Sequence, residues 1–250
     1  MRPRPRRIAG TPLLVDDEQP TFWDKVEAGT WEPGTIATLA PLLGPGVAFL
    51  DIGAWVGPLS LLAAARGARV VAVEADPAAQ EQLRRNLAAN PDLAARIEIV
   101  PAAISPSPGE VRLGARRKPG DSMSSVLLAD APGAWTTPAV TPAMLAAKIA
   151  ADARVVIKLD IEGAEYALLP HLGPLLQRPV VSVLLSLHPV ILSQAGVSDT
   201  QAALRAALAP FAGWNADRIG DAGSIGCGTA PDALLRAPDQ ETWLLRPPSP

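Results

Sequence analysis

FLDIGAWVGPLS, Phe49 to Ser60, runs a short apolar strand straight into an acid and two glycines. A glycine at 53 lets backbone approach a ligand closely, and Gly57 lets the following helix pack near the strand. The spacing is Asp-x-Gly-x-x-x-Gly. A dinucleotide site asks for Gly-x-Gly-x-x-Gly, because a pyrophosphate needs a row of free amides at the helix start. Here bulky Trp55 stands two residues after Gly53 and would crowd that phosphate. The Asp51 carboxylate would repel it, yet it suits a cationic ligand that carries an amino group.

Outward from this turn, short apolar runs alternate with helical patterns. Strands are read at Val47–Asp51, Arg69–Glu74, Ile97–Ala103, Val155–Asp160 and Val180–Leu187. Helices are read at Leu59–Arg66, at Pro77–Asn90 behind the N-cap Asp76, from about Ala164 to Leu176, and from Thr35. Strands apolar on both faces belong in a mostly parallel sheet with helices on each side, which makes this a doubly wound α/β domain of Rossmann-like type.

Ligands of such sheets bind beyond the carboxyl ends of the strands. The tips here deliver Asp51-Ile-Gly53, Glu74-Ala75-Asp76, Ala102-Ala103, Asp160-Ile-Glu162-Gly163 and His188-Pro189. Each acid alone reads as a helix cap, a solvated rim charge or a complement to a helix dipole. Together on one edge they favour a site. S-adenosylmethionine (SAM) fits the residues: it is a sulfonium with an amino-acid tail and no phosphate. Glu74 is placed to accept both ribose hydroxyls, and Ala102-Ala103 to offer a small edge for adenine. Glu32 and Thr35, in WEPGT, are placed to fold over the cofactor as a lid, and Gly57, Ala75 and Asp160 complete the expected cofactor contacts.

The totals narrow the classes. Of 250 residues, 48% are hydrophobic and 19% charged, enough for a sizeable core. Net charge is −3 and no basic run recurs after the first residues, so the footprint of a nucleic-acid binder is missing. The longest apolar runs fall short of a membrane span. Cys227 is the only cysteine, which excludes an internal disulfide and zinc-finger spacing and suggests a cytoplasmic setting. Residues 1–20 read as a basic, Pro-rich disordered tail and 247–250 as a second tail. A single domain over 21–246 is expected, with a cap or lid at 21–45 and an insertion at 106–153, in which Val111–Leu113 looks like an added strand.

DIGAWVGPLS, VEADP, PAAIS, the pair Ser124-Ser125 and above all IKLDIEGAE (Ile157–Glu165) resemble the FkbM-type SAM-dependent methyltransferases. The lead-in FWDKVEAGTWEPGT is similar to that of one branch of the family. The resemblance implies a class I methyltransferase fold, a seven-stranded sheet with its last strand antiparallel, and final strands at Trp214–Gly220 and Thr242–Arg246. It implies methylation of a hydroxyl on a sugar, glycan or polyketide-like molecule. It carries over Asp51, Gly53, Ala54 and Glu74 as cofactor contacts, and Asp160 and Glu162 as site carboxylates. Two departures stand out: Trp55 replaces the usual Asn, and Pro142-Ala143 replaces a Leu-Asp pair.

Methyl transfer from a sulfonium is an in-line displacement, so alignment dominates and a base helps a hydroxyl attack. His188 at the fifth tip is the first choice of base, with a strand-capping role as its equal rival; Asp160 is the second choice. Lys158 lies on the same face as Asp160 and reads as its ion-pair partner. Asp160, Glu162 and His188 suit a divalent cation such as Mg²⁺ if they meet, but no spacing demands one, so metal-independent transfer is the default. The rivals are a non-catalytic SAM- or partner-binding relative and, less favoured, a nicotinamide oxidoreductase. A nucleic-acid methyltransferase is disfavoured by the acidic balance and by the missing Asn/Asp-Pro-Pro-Tyr run. The acceptor is expected to be a small molecule, with neither nucleic acid nor membrane as partner; oligomeric state stays open.

Overall fold

A computed structural model describes residues 3–121, 123–178, 181–189, 192, 196–236 and 241–248. The chain begins with an antiparallel hairpin, β1 (Arg4–Ile8) and β2 (Thr11–Val15), rather than the disordered tail expected for 1–20. Ala9 and Gly10 both take positive φ, 47° and 78°, the geometry of a two-residue turn that matches strand twist. Alternation buries Ile8, Leu13 and Val15, while Arg6 meets Asp17, Asp24 and Glu27. The Arg/Pro composition of this segment hides that alternation.

Helices α1 (Pro20–Glu27) and α2 (Pro33–Leu39) lead into β3 (Val47–Ile52), α3 (Pro58–Ala65), β4 (Arg69–Glu74) and α4 (Pro77–Ala89). The Asp76 carboxylate caps α4 by accepting from the Ala78 and Ala79 amides. Then come β5 (Ile97–Pro101), β6 (Ala103–Ile104), β7 (Gly109–Ala115), β8 (Ser124–Ser125) and β9 (Trp135–Val140). The remaining strands are β10 (Arg154–Leu159), β11 (Val181–Leu187), β12 (Asn215–Gly220), β13 (Gly223–Thr229) and β14 (Glu241–Arg246).

The main sheet has the order β13-β12-β14-β11-β10-β3-β4-β5. Pairing from β11 through β5 is parallel, whereas β14, β12 and β13 are antiparallel. The α/β class holds, but the sheet is mixed and eight-stranded rather than seven-stranded. The additional strand is β13, whose glycine-rich sequence lacks an apolar pattern; pairing with β12 and the cover of α2 hold it. Two cores form because alternate residues of one strand face opposite ways. Ala48, Leu50 and Ile52 join one with Ile157, Leu185, Leu168 and Phe211, while Val47 and Phe49 join the other with Leu39, Leu62 and Leu83.

Two local readings change. The stretch from Ala103 to Val140 builds its own sheet, β6-β9-β7-β8, so the expected strand Ile97–Ala103 ends at Pro101 and Val111–Leu113 is part of a longer β7. The helix expected over Ala164–Leu176 is three short pieces, Glu165–Leu168, a 3₁₀ turn Leu169–His171, and Gly173–Leu176. Pro170 and Pro174 lack the backbone donors a continuous helix needs, and Gly173 between them weakens it further. Val180 lies outside the described residues. No helix among the described residues is long and apolar enough to cross a membrane.

Candidate active site at the strand tips

Parallel register lines the acids up. Asp51 on β3 is the direct partner of Lys158 on β10, and Glu74 closes β4 beside them. Gly53, at φ 79°, turns the chain out of β3; a Cβ there would sit 2.1 Å from the Asp160 carbonyl, so only glycine lets the two tips meet.

At one pole, Glu74 is buried and both its carboxylate oxygens accept backbone amides, from Trp55 and from Asp76, each at 2.7 Å. Burial pushes its pKa up to about 7 against the pull of those amides. Trp55 takes the left-handed φ of 51° to present its amide, and its indole donates to the Gly120 carbonyl at 3.0 Å. Its ring packs edge-on against Phe22, which also contacts Trp31. Asp76 Oδ2 accepts from the Gly120 amide and the Ser124 hydroxyl, pinning the 106–153 segment over this pole.

In the middle, Asp51 Oδ2 accepts the Ser60 hydroxyl at 2.6 Å, while its buried Oδ1 has no hydrogen-bond partner among the described residues. Burial raises the Asp51 pKa, opposed by Lys158. The Lys158 ammonium donates to the Gly53 carbonyl at 2.9 Å and lies 3.6 Å from Asp160 Oδ2. Burial disfavours its charge, but Asp160, Asp51, Glu32 and Glu74 outweigh that and hold its pKa above the ordinary lysine value.

At the other pole His188 is 3% exposed. Glu165, fully buried, accepts from the Gly163 amide through Oε2 and from the His188 amide through Oε1, which also bonds His188 Nδ1 at 2.8 Å. His188 Nε2 faces Asp160 Oδ1 at 3.7 Å and Glu162 Oε2 at 3.6 Å. Burial pushes the imidazole down, but Glu165, Asp160 and Glu162 prevail and raise its pKa. Burial also raises that of Glu162, whose carbonyl accepts the Ser125 hydroxyl at 2.7 Å.

Two adjoining cavities share Gly53, Trp55, Asp160 and Glu162. Glu74, Ala75, Ala102, Ala103 and Ser124 line the first; Glu32, Asp51, Ala54 and Lys158 line the second. Among the expected cofactor contacts, Thr35 and Gly57 are not lining residues. Thr35 is buried within α2, and Gly57 faces Leu83 of α4, where a Cβ would lie 2.3 Å from Cδ1. Gly57 thus serves helix–helix packing. Pro142-Ala143, in place of the Leu-Asp pair, starts a helix that the Thr141 hydroxyl caps. Sequence reading missed Glu165 as the holder of His188, because the two stand 23 residues apart with no telling spacing.

Around these cavities Glu32, Asp51, Glu74, Asp160 and Glu162 face a single ammonium, Lys158. Low-dielectric burial makes that excess of acid costly, and a cationic ligand relieves it. Asp51 Oδ1, buried without a hydrogen-bond partner among the described residues, adds to that cost.

A family model described as the methyltransferase FkbM domain matches residues 51–206. No curated protein sequence matches the chain significantly. Among solved structures, TYW2 of Pyrococcus horikoshii in complex with MeSAdo is 13% identical, with a TM-score of 0.45 over 98% of this chain and 70% of that one. Precorrin-6y C5,15-methyltransferase of Geobacter metallireducens is 13% identical, at a TM-score of 0.42 over 86% and 87%. A SAM-dependent methyltransferase of Agrobacterium tumefaciens is 13% identical, at a TM-score of 0.43 over 100% and 71%.

Proposed function

The chain belongs to the FkbM methyltransferase family, and from that premise we propose that it transfers a methyl group from SAM to a hydroxyl of a small-molecule acceptor. The observation that carries the reading is the row of strand-tip acids, with Glu74 and Asp51 lining adjoining cavities and Lys158 as the one ammonium among their described lining residues. Glu74 would take the ribose hydroxyls, Ala102 and Ala103 the adenine edge, and Asp51 with Glu32 the amino-acid end. When bound, SAM supplies a methyl carbon made electrophilic by its sulfonium: the new C–O bond forms as the C–S bond breaks, and the acceptor loses its proton.

The chain's own residues set up that event. Gly53 brings the Asp51 and Asp160 tips together, and Trp31 and Trp55 line the second cavity with Phe22 packed against both rings. The Asp160–Glu162–His188 cluster stands beside the cleft to orient the acceptor and draw off its proton. That cluster would supply the base that a hydroxyl nucleophile needs.

Calorimetric titration with S-adenosylhomocysteine and, separately, NADH tests the cofactor. Binding of the homocysteine compound, weakened about 10–100-fold in Glu74→Gln, is expected from the loss of charged hydrogen bonds. Binding of NADH alone would overturn the reading. Cofactor binding without turnover of labelled SAM on any hydroxyl panel would point instead to a non-catalytic relative.

A further inference from the structure

We infer that Asp160, Glu162 and His188 form a binding site for a divalent cation of the first transition row. One ligand atom from each of the three lies within 4.8 Å of those of the other two. They arrive from different places: Asp160 just beyond β10, Glu162 two residues on, His188 just beyond β11.

The imidazole carries the argument beyond a mere cluster of acids. His188 is 3% exposed, and its Nε2 has no hydrogen-bond partner among the described residues although it faces Asp160 Oδ1 and Glu162 Oε2. Glu165 already accepts two backbone amides, so it accepts Nδ1–H as well and fixes the tautomer. Nε2 then faces two carboxylate oxygens, an arrangement that a positive charge there relieves, either a proton on the imidazole or a metal ion in its place. A carboxylate holding the far nitrogen of a ligating histidine is the usual outer support of a metal site. Lys158 does not fill the role: its ammonium is turned to the Gly53 carbonyl and Asp160 Oδ2, leaving Oδ1 for the cation.

The backbone adds to this. Glu162 holds a left-handed φ of 49°, an unfavourable conformation for a side-chain-bearing residue, and the Ser125 hydroxyl clamps its carbonyl. With bonds of about 2.1 Å, neighbouring donors of an octahedral ion sit about 3 Å apart, so the two His188 contacts at 3.7 and 3.6 Å close by under about 1 Å and the widest pair, within 4.8 Å, by up to about 2 Å. One nitrogen and two oxygens suit Mn²⁺, Fe²⁺ or Zn²⁺ better than Ca²⁺.

This inference rests on the methyl-transfer reading for its purpose. Three protein ligands leave open positions where an acceptor hydroxyl would bind, oriented and acidified. The hydroxyl's proton would pass to a carboxylate oxygen of the cluster that does not ligate the ion.

Chelator-stripped full-length protein titrated with MnCl₂, followed by calorimetry and by the loss of the free Mn²⁺ resonance signal, tests it. One saturable site is expected, weakened at least tenfold in Glu162→Gln and 10–100-fold in Glu165→Gln. Glu162 is half-buried, so its variant folds even if the Glu165 variant does not, and circular dichroism verifies both. Absence of saturable uptake of Mn²⁺, Zn²⁺ and Mg²⁺ at millimolar concentration, or uptake unchanged in a folded Glu162→Gln, overturns the inference. S-adenosylhomocysteine binding in the same samples separates the two claims. Cofactor binding without metal uptake overturns the metal site alone; metal uptake without cofactor binding supports the site and strikes the methyl-transfer reading.

Discussion

Glu74 and His188 occupy opposite poles of one strand-tip edge, and both are buried, yet they are satisfied in opposite ways. Glu74 takes backbone amides on both oxygens, one from Asp76 two residues along its own chain. His188 takes one side chain, Glu165, on Nδ1, and on Nε2 no hydrogen bond among the described residues, only the Asp160 and Glu162 carboxylates at 3.7 and 3.6 Å. A carboxylate held by backbone donors has a fixed position and offers only its remaining lone pairs, which suits recognition. An imidazole hydrogen-bonded on one side and not on the other is chemically open, which suits reaction. Gly53 joins the poles, because its missing side chain admits the Asp160 carbonyl.

The sharpest way to break this contrast is Glu165→Ala. It strips the partner from the buried His188 ring and from the Gly163 and His188 amides, so a loss of about 3–5 kcal/mol is expected in urea unfolding. Glu74, on the far side of Gly53, should keep its amide bonds and S-adenosylhomocysteine binding in whatever fraction folds. Next is Gly53→Ala. The new Cβ meets a backbone carbonyl at a positive φ, so about 2–4 kcal/mol is expected, together with weaker cofactor binding as the tips part. A loss under 1 kcal/mol would show that the poles are not joined there.

The smallest effect sharpens the Glu74 side through pH. Its folded pKa of about 7 lies above the ordinary 4.5, so the native state keeps this proton to a higher pH than the unfolded chain. Its contribution is therefore fully present below about 4.5 and is lost as pH rises toward 7, with a slope on the order of 1 kcal/mol per pH unit. Melting curves of the wild type and Glu74→Gln between pH 5 and 8 should differ by this slope; parallel curves would place the pKa of Glu74 near its ordinary value.

Much of the parallel half of the sheet was legible. The runs at Val47–Asp51, Arg69–Glu74 and Val155–Asp160 are continuous and apolar, and burial on both faces leaves such runs little alternative to a central strand. The Asp76 cap with Pro77 marked α4 for the same local reason. The N-terminal hairpin and β13 were not legible, since arginines, prolines and glycines carry no apolar pattern and these strands are held by pairing and by charges from elsewhere. Of the candidate site, Asp51, Glu74, Asp160, Glu162 and His188 are named from their places at strand ends, whereas nothing near Glu165 in sequence marks it as the partner of His188.

By itself, then, the sequence determined the parallel strands, their tips and the acids upon them, because burial on both faces and a glycine turn are written in adjacent residues. Tertiary structure alone decided the partners: which carboxylate holds His188, which carbonyl Gly53 must admit, and that Lys158 is the cation common to four acids. Those pairings join residues tens of positions apart, and the energy of a buried charge depends on what surrounds it in space, which no local pattern records.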